Sequence, residues 1–426
     1  MLKAIEHFPS RTINLELSEI FTLYDNLTEL LKRRGNLVAT IDRLTDTAAT
    51  TLPTDFSKQP DLRQAGRFRW QKQSFTWKDL SRSVSSGESR NRLVPGDLYL
   101  PQTTAAVPII VISHGAAEDR TAYAYLAAHL ASHGFAVVAI EHVGGDASRF
   151  RKYFSGLAPA PDATELLELP HDVSFALDEL QRRSVKDRNL QQLNFQQVGL
   201  IGHSLGGYTV LALAGAQIDF ALVKRNCNPN RSLNISVLLQ CRANELTAQP
   251  YRLQDPRIRS IFAINPLGSA MFGKQGLSQI RIPTFLLGGS DDIITPAVPE
   301  QIYPFTWLQT SAKYLAILNG GTHFSTPAVS QSDGIFPISD GLIGANPLQA
   351  QTYTKALSLA FFQTHLANQA EFGQYLHPAY GRAIDSASLP LNLLPSSAAA
   401  SISQALERDP SRAPKLVGGA SPLENR

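Results

Sequence analysis

Six short apolar runs alternate with helix-like stretches through the middle of the chain, and no other feature narrows the fold as much. The runs are VPIIVISHG, FAVVAIEH, QQVGLIGHS, SIFAINP, IPTFLLGGSDD and KYLAILNGGTHF, separated by helical patterns such as YAYLAAHLASHG and DVSFALDELQRR. Short buried strands joined through helices build a mostly parallel sheet with helices on both faces, so the expected class is α/β. A helix-like YTKALSLAFFQTHLANQ closes this unit.

The flanks read differently. From Phe68 the period drops to two in FRWQKQSFTW, and after a Ser/Gly/Arg loop at 81–92 comes VPGDLYLP, which predicts a leading antiparallel hairpin. Before it, Ile13, Leu17, Ile20, Phe21, Tyr24, Leu27, Leu31, Val38, Ile41 and Leu44 recur at mostly helical spacing. They predict one or two amphipathic helices that need a partner surface. Beyond Ser386 the composition turns to Ser, Ala and Pro, predicting a loosely packed or disordered tail. The expected organisation is a helical extension over 1–66, the α/β domain over 67–385 and the tail over 386–426.

With 426 residues the chain can bury a large core. Its net charge of +3 is mild, with Lys and Arg spread along the chain. That leaves no nucleic-acid footprint and favours a small-molecule or apolar partner. No apolar run reaches the roughly 18 residues that span a bilayer, and MLKAIEHFPS lacks the apolar stretch of a signal peptide. The chain is therefore expected to be soluble as it stands, with no transmembrane segment. The two cysteines, Cys227 and Cys241, admit free thiols or a bridge by count alone. Their closeness in a segment rich in Asn, Pro and Arg favours a disulfide and an oxidising compartment, periplasmic or secreted.

The chemistry centres on GLIGHSLGGYT, residues 199–209, where a predicted strand ends and a helix begins. Gly202 and Gly206 flank Ser204 in G-x-S-x-G, which in that context is a nucleophile elbow: a strained turn that lifts the serine Oγ off the sheet. A serine hydroxyl needs a base to take its proton and an acid to orient that base. LLGGSDDIITP ends one later strand and LAILNGGTHFS the next, so the acid is Asp291 or Asp292 and the base His323. An oxyanion requires two N–H donors. The backbone of Leu205, at the helix start, supplies one; Ala116, after the strand VPIIVISHG, supplies the other, with Gly115 permitting close approach. His114 reads as a turn-stabilising hydrogen bonder. His142 and Asp146 in EHVGGD find no third ligand, so neither a metal nor a cofactor is expected. His171 and Asp172 are expected to begin or cap a helix turn after Pro170, and NPLGSAMFG from Asn265 either lines an acyl pocket or packs.

ISHG at 112–115, GHSLGG at 202–207, GGSDDIITP at 288–296 and GGTHF at 320–324 together resemble the alpha/beta-hydrolase superfamily, near the dienelactone-hydrolase-like and platelet-activating-factor-acetylhydrolase-like esterases. The resemblance spans roughly residues 68–370. INPLGSAMFG, EQIYPFTWL and the helical N-terminus further resemble cyanobacterial-type hydrolases with an upstream helical domain and an export signal, which implies that the chain begins inside that domain. The spacing Gly289-x-x-Asp292-x-x-x-Pro296 resembles the family pattern with Asp292 as the acid. Dienelactone hydrolases proper carry a cysteine where this chain has Ser204. The resemblance implies a serine ester hydrolase acting through an acyl-enzyme with the triad Ser204, His323 and Asp292 on a small or apolar ester. A cofactorless acyltransferase with the same triad, or a hydrolase-like binding protein with an idle site, is the alternative.

Overall fold

Along the strand Val107–Ser113 successive side chains enter two separate apolar layers: Ile109 and Val111 join one, Ile110 and Ile112 the other. The next strand in sequence, Ala136–Ile140, does the same, with Val138 and Ile140 on one side and Val137 and Ala139 on the other. Such strands need cover on both faces, because period-two side chains are apolar in both directions. The computed structural model describes residues 17–82, 91–227, 234–328, 340–344 and 346–408.

Among the described residues nine strands form one sheet: β1 (Trp70–Asp79), β2 (Arg92–Pro101), β3 (Val107–Ser113), β4 (Ala136–Ile140), β5 (Leu193–His203), β6 (Ile258–Ile264), β7 (Thr284–Gly289), β8 (Lys313–Leu318) and β9 (Leu391–Pro395). Their spatial order is β1-β2-β4-β3-β5-β6-β7-β8-β9. The pairs from β4 through β8 are parallel, and β1–β2, β2–β4 and β8–β9 are antiparallel. The six apolar runs are the six central strands, and the period-two segments are the leading hairpin. This is a mostly parallel sheet with flanking helices. The functional consequence is that the carboxyl ends of β3, β5, β7 and β8 open on one edge.

The N-terminal helix, Leu17–Ala49, is one helix, and Leu37 and Ile41 are buried. Its partners lie at the other end of the chain: it packs on the helix Pro378–Ala383, on β9 and on the helix Ala399–Arg408. Arg382 fixes the first contact, with Nη2 and Nε each 2.7 Å from the carboxylates of Asp42 and Asp46. Residues 391–408 therefore correct the expected loose tail. Leu391, Leu393 and Leu394 are fully buried in an edge strand, and Ile402 and Leu406 seat the last helix. The part of that expectation over 409–426 lies outside the described residues.

A second correction concerns Asp172. Pro170 does not mark a helix start: the helix runs Glu165–Ser184 with Pro170 inside it. Asp172 is buried in its interior and grips Arg92 of β2 at 2.6 and 2.8 Å, while Arg92 also holds Glu165 at 2.8 Å. Burial alone would raise the Asp172 pKa, but the Arg92 guanidinium outweighs it and holds the carboxyl far below its ordinary range. Asp172 also receives His142 Nδ1 at 3.1 Å, and His142 Nε2 meets Ser113 Oγ at 2.8 Å. Asp146 caps the helix Ala147–Phe154 by accepting from the Arg149 N–H at 2.9 Å. His142 and Asp146 thus have separate protein partners, and no group of three or more His, Cys, Asp or Glu gathers as a metal site among the described residues.

Candidate active site

Ser204 joins β5 to the helix Leu205–Leu213 at φ 54° and ψ −114°, a conformation rarely tolerated with a side chain. Two contacts force the turn. A Cβ on Gly202 would sit 2.1 Å from the Gly206 carbonyl oxygen, and one on Gly206 would sit 2.1 Å from the carbonyl oxygen of Ser113. Strand, helix and β3 turn thus meet backbone to backbone, and Ser204 is carried at the helix N-terminus, where the dipole favours negative charge. Among the described residues Ser204 Oγ makes no side-chain hydrogen bond.

His323 follows β8 and Asp292 follows β7. Asp292 Oδ2 lies 2.7 Å from His323 Nδ1. The carboxylate is itself fixed: Oδ1 accepts from the N–H groups of Ile294 and Thr295 at 2.8 and 2.7 Å, and Oδ2 accepts from Thr295 Oγ1 at 2.8 Å. Asp291 points elsewhere. Its side chain is half exposed and pairs with Arg34 of the N-terminal helix at 3.2 Å. The structure brings Asp292, and not its neighbour, to the imidazole. The two loops are also pressed together, since a Cβ on Gly289 would lie 2.3 Å from the Gly321 carbonyl oxygen.

Opposite them, the β3 turn presents Ala116. Ala117, at φ 63°, bends the chain, and its N–H donates to Gly145 O at 3.0 Å. The Gly115 N–H donates to Glu118 Oε2 at 2.7 Å. The N–H groups of Ala116 and Leu205 have no acceptor among the described residues, which leaves them available to an incoming oxygen. His114 orients the Gly115–Ala116 peptide: its Nδ1 donates to Gly115 O at 2.8 Å, and its Nε2 accepts from the His142 N–H at 3.0 Å. The second bond requires a neutral ring, because only an unprotonated Nε2 can accept. Burial, with His142 beside it, keeps His114 in that form by depressing its pKa to about 4.

The sequence reading missed Asn265. It follows β6 at φ 42°, buried, where Oδ1 accepts from the Gly289 N–H at 3.0 Å and Nδ2 donates to the Thr322 and His323 carbonyls at 3.3 Å each. One amide thus ties the loop of the acid to the loop of the base. The rest of NPLGSAMFG packs: Met271 and Phe272 are fully buried, and Phe272 stacks on Tyr208 at 5.3 Å. Beside His323 opens a cavity of about 650 Å³ lined by Arg34, Ile293, Ile294, Thr322, Phe324 and Leu342 among others. Gly202, Gly206, Gly115, Ala116, Leu205, Ser204, Asp292 and His323 all fall at this edge of the sheet. Cys227 and Cys241 do not; they form a disulfide, with Cα atoms 5.3 Å apart, at the ends of the helices Phe220–Asn226 and Ser236–Gln240.

A family model described as alpha/beta hydrolase fold matches residues 108–219, which run from β3 through the elbow. The chain is similar to a platelet-activating factor acetylhydrolase of Cavia porcellus, 29% identical over 142 residues that cover 26% of this chain and 32% of that protein. It is similar to that of Canis lupus familiaris, 30% identical over 145 residues with 26% and 32% covered. With that of Bos taurus it shares 24% identity over 284 residues, 64% of this chain and 60% of the relative. The chain thus spans about a third of the length of the first two relatives.

Proposed function

We propose that this chain, a member of the alpha/beta-hydrolase superfamily, is a serine carboxylic-ester hydrolase that works through an acyl-enzyme without metal or cofactor. The observation that carries the reading is the 2.7 Å contact of Asp292 Oδ2 with His323 Nδ1, at the same sheet edge as a serine held on a strained elbow. In this mechanism His323 Nε2 takes the Ser204 proton as Oγ attacks the ester carbonyl. Asp292 keeps the Nδ1–H tautomer and stabilises the imidazolium. The Ala116 and Leu205 N–H groups receive the developing oxyanion. His323 then protonates the leaving alcohol, and water activated by the same imidazole releases the acid. The names of the relatives, all acetylhydrolases, support ester cleavage. The cavity beside His323 offers room for one end of the substrate.

The disulfide supports work in an oxidising compartment, periplasmic or secreted, and no described helix is long and apolar enough to cross a membrane. The test of the activity is turnover of p-nitrophenyl esters of graded acyl length by the wild type and by Ser204→Ala. Hydrolysis that falls by several orders of magnitude in the variant supports the reading, and a variant that keeps most of its turnover overturns it. Added alcohols in the same assay show whether the acyl group goes to water or to an alcohol, as it would in an acyltransferase.

A further inference from the structure

Two buried ionisable side chains lie between the oxyanion turn and the base, and the steps above use neither. Glu118 follows the β3 turn, and His203 is the last residue of β5, next to Ser204. Glu118 Oε2 accepts from the Gly115 N–H at 2.7 Å, and Oε1 lies 2.8 Å from His203 Nδ1. His203 Nε2 lies 3.1 Å from the carbonyl oxygen of His323. The side chains are 13% and 1% exposed, so water does not compete strongly for these groups.

One partner locates a proton. A carbonyl oxygen only accepts, so His203 Nε2 carries a hydrogen. His203 Nδ1 and Glu118 Oε1 are in close contact without forming an aligned hydrogen bond. Burial alone would push the His203 pKa down, but the Glu118 carboxylate outweighs it and leaves the ring above its ordinary value. Burial would likewise raise Glu118, and the charge of His203 reverses that.

The chain of contacts runs from the β3 turn through the end of β5 to the loop after β8. It therefore crosses the three segments whose spacing a Ser204 mechanism depends on. We infer that Glu118 and His203 are positioning residues that fix the Gly115–Ala116 turn relative to Ser204 and to the backbone of His323. The inference rests on the serine-hydrolase reading, whose rate would depend on that spacing because an oxyanion donor acts only within hydrogen-bond reach of where charge develops.

The test uses the full chain with Glu118→Ala, Glu118→Gln and His203→Asn, assayed on a p-nitrophenyl ester and normalised to the sites titrated by a fluorophosphonate. Glu118→Ala should lower kcat per titrated site by roughly 10- to 100-fold with KM within about three-fold, as expected for a misplaced oxyanion donor. Glu118→Gln should return to within about five-fold of wild type. Its Oε1 can accept from Gly115 while its Nε2 donates to a neutral His203 Nδ1, which keeps the links without the charge. His203→Asn, too short to span both partners, should repeat the alanine loss, and it serves as the second variant should Glu118→Ala not fold. A merely structural role would lower the melting temperature or the titratable fraction and leave kcat per site unchanged; that result overturns the inference, as does a Gln variant no better than Ala. If the wild type neither cleaves esters nor takes the phosphonate, the hydrolase reading itself fails and this inference falls with it. If the wild type does both and Glu118→Ala is unimpaired, only this inference fails.

Discussion

Asp291 and Asp292 share a chemistry and a strand end, and their surroundings separate them. Asp292 is 3% exposed with four hydrogen-bond donors around it, whereas Asp291 is half exposed and held by Arg34. On the proposed mechanism Asp292→Asn should lower kcat by roughly 10⁴-fold, because the amide no longer fixes the tautomer of His323. The same change at Asp291 should cost only a few-fold, since an exposed ion pair contributes about 1 kcal/mol or less. Steady-state kinetics of the two variants decide, and the reverse ranking would move the acid by one residue. Among single residues the sequence was informative where a local spacing marks a turn or a strand end: the glycines around Ser204, and the Asp and His placed after successive strands. Asn265 and Glu118 were not legible. Asn265 reaches a carbonyl 58 residues away and Glu118 binds an imidazole on another strand, and no local period encodes contacts of that length.

The elbow and the disulfide are features of whole elements. The elbow requires three backbones to touch, so Gly206→Ala places a methyl group 2.1 Å from the Ser113 carbonyl oxygen, a contact that must be relieved by moving β3 away from the helix. Overpacking of this kind costs about 1–3 kcal/mol, and here it also displaces the Ala116 turn. A lower urea midpoint together with lost turnover is expected; unchanged values would mean that the elbow tolerates separation. The Cys227–Cys241 bridge spans 14 positions and joins the helices Phe220–Asn226 and Ser236–Gln240. A loop of that length constrains the unfolded chain by about 3 kcal/mol, so reduction should lower the melting temperature. Intact-mass measurement after alkylation without reductant checks the bridge directly. Two alkylated thiols in protein from an oxidising compartment would exclude it and weaken the case for export.

Over the whole molecule, the two ends of the chain complete each other. The helical periodicity of the N-terminus announced a buried stripe but not its partner, which is β9 and the helices Pro378–Ala383 and Ala399–Arg408. The leucines of LPLNLLP were hidden in a reading of residues 386–426 as one Ser/Ala/Pro-rich stretch, because an edge strand of five residues scarcely alters the composition of forty. Burial also sets the response of the fold to acid. His114, His129 and His365 are held neutral, with pKa values depressed from 6.5 to about 4, 3 and 4 respectively, burial being the leading cause in each. A depressed value means that the unfolded chain binds the proton first, so the stability these groups confer is present above pH 6.5 and is lost as pH falls toward 4. His203, raised by Glu118, and Asp146, raised by burial, run the other way. Melting temperature measured across pH 8 to 4 should therefore fall below about pH 6.5. A flat profile down to pH 4 would contradict the buried neutral state of these rings.

The proposed chemistry stands or falls with Ser204 as the nucleophile of a serine hydrolase. Incubating the protein with a fluorophosphonate and mapping the adduct by peptide mass spectrometry decides it. One phosphonyl group per chain is expected, on Ser204, lost in Ser204→Ala and strongly slowed in His323→Ala. An unmodified protein, or an adduct on another residue with Ser204 untouched, would contradict it.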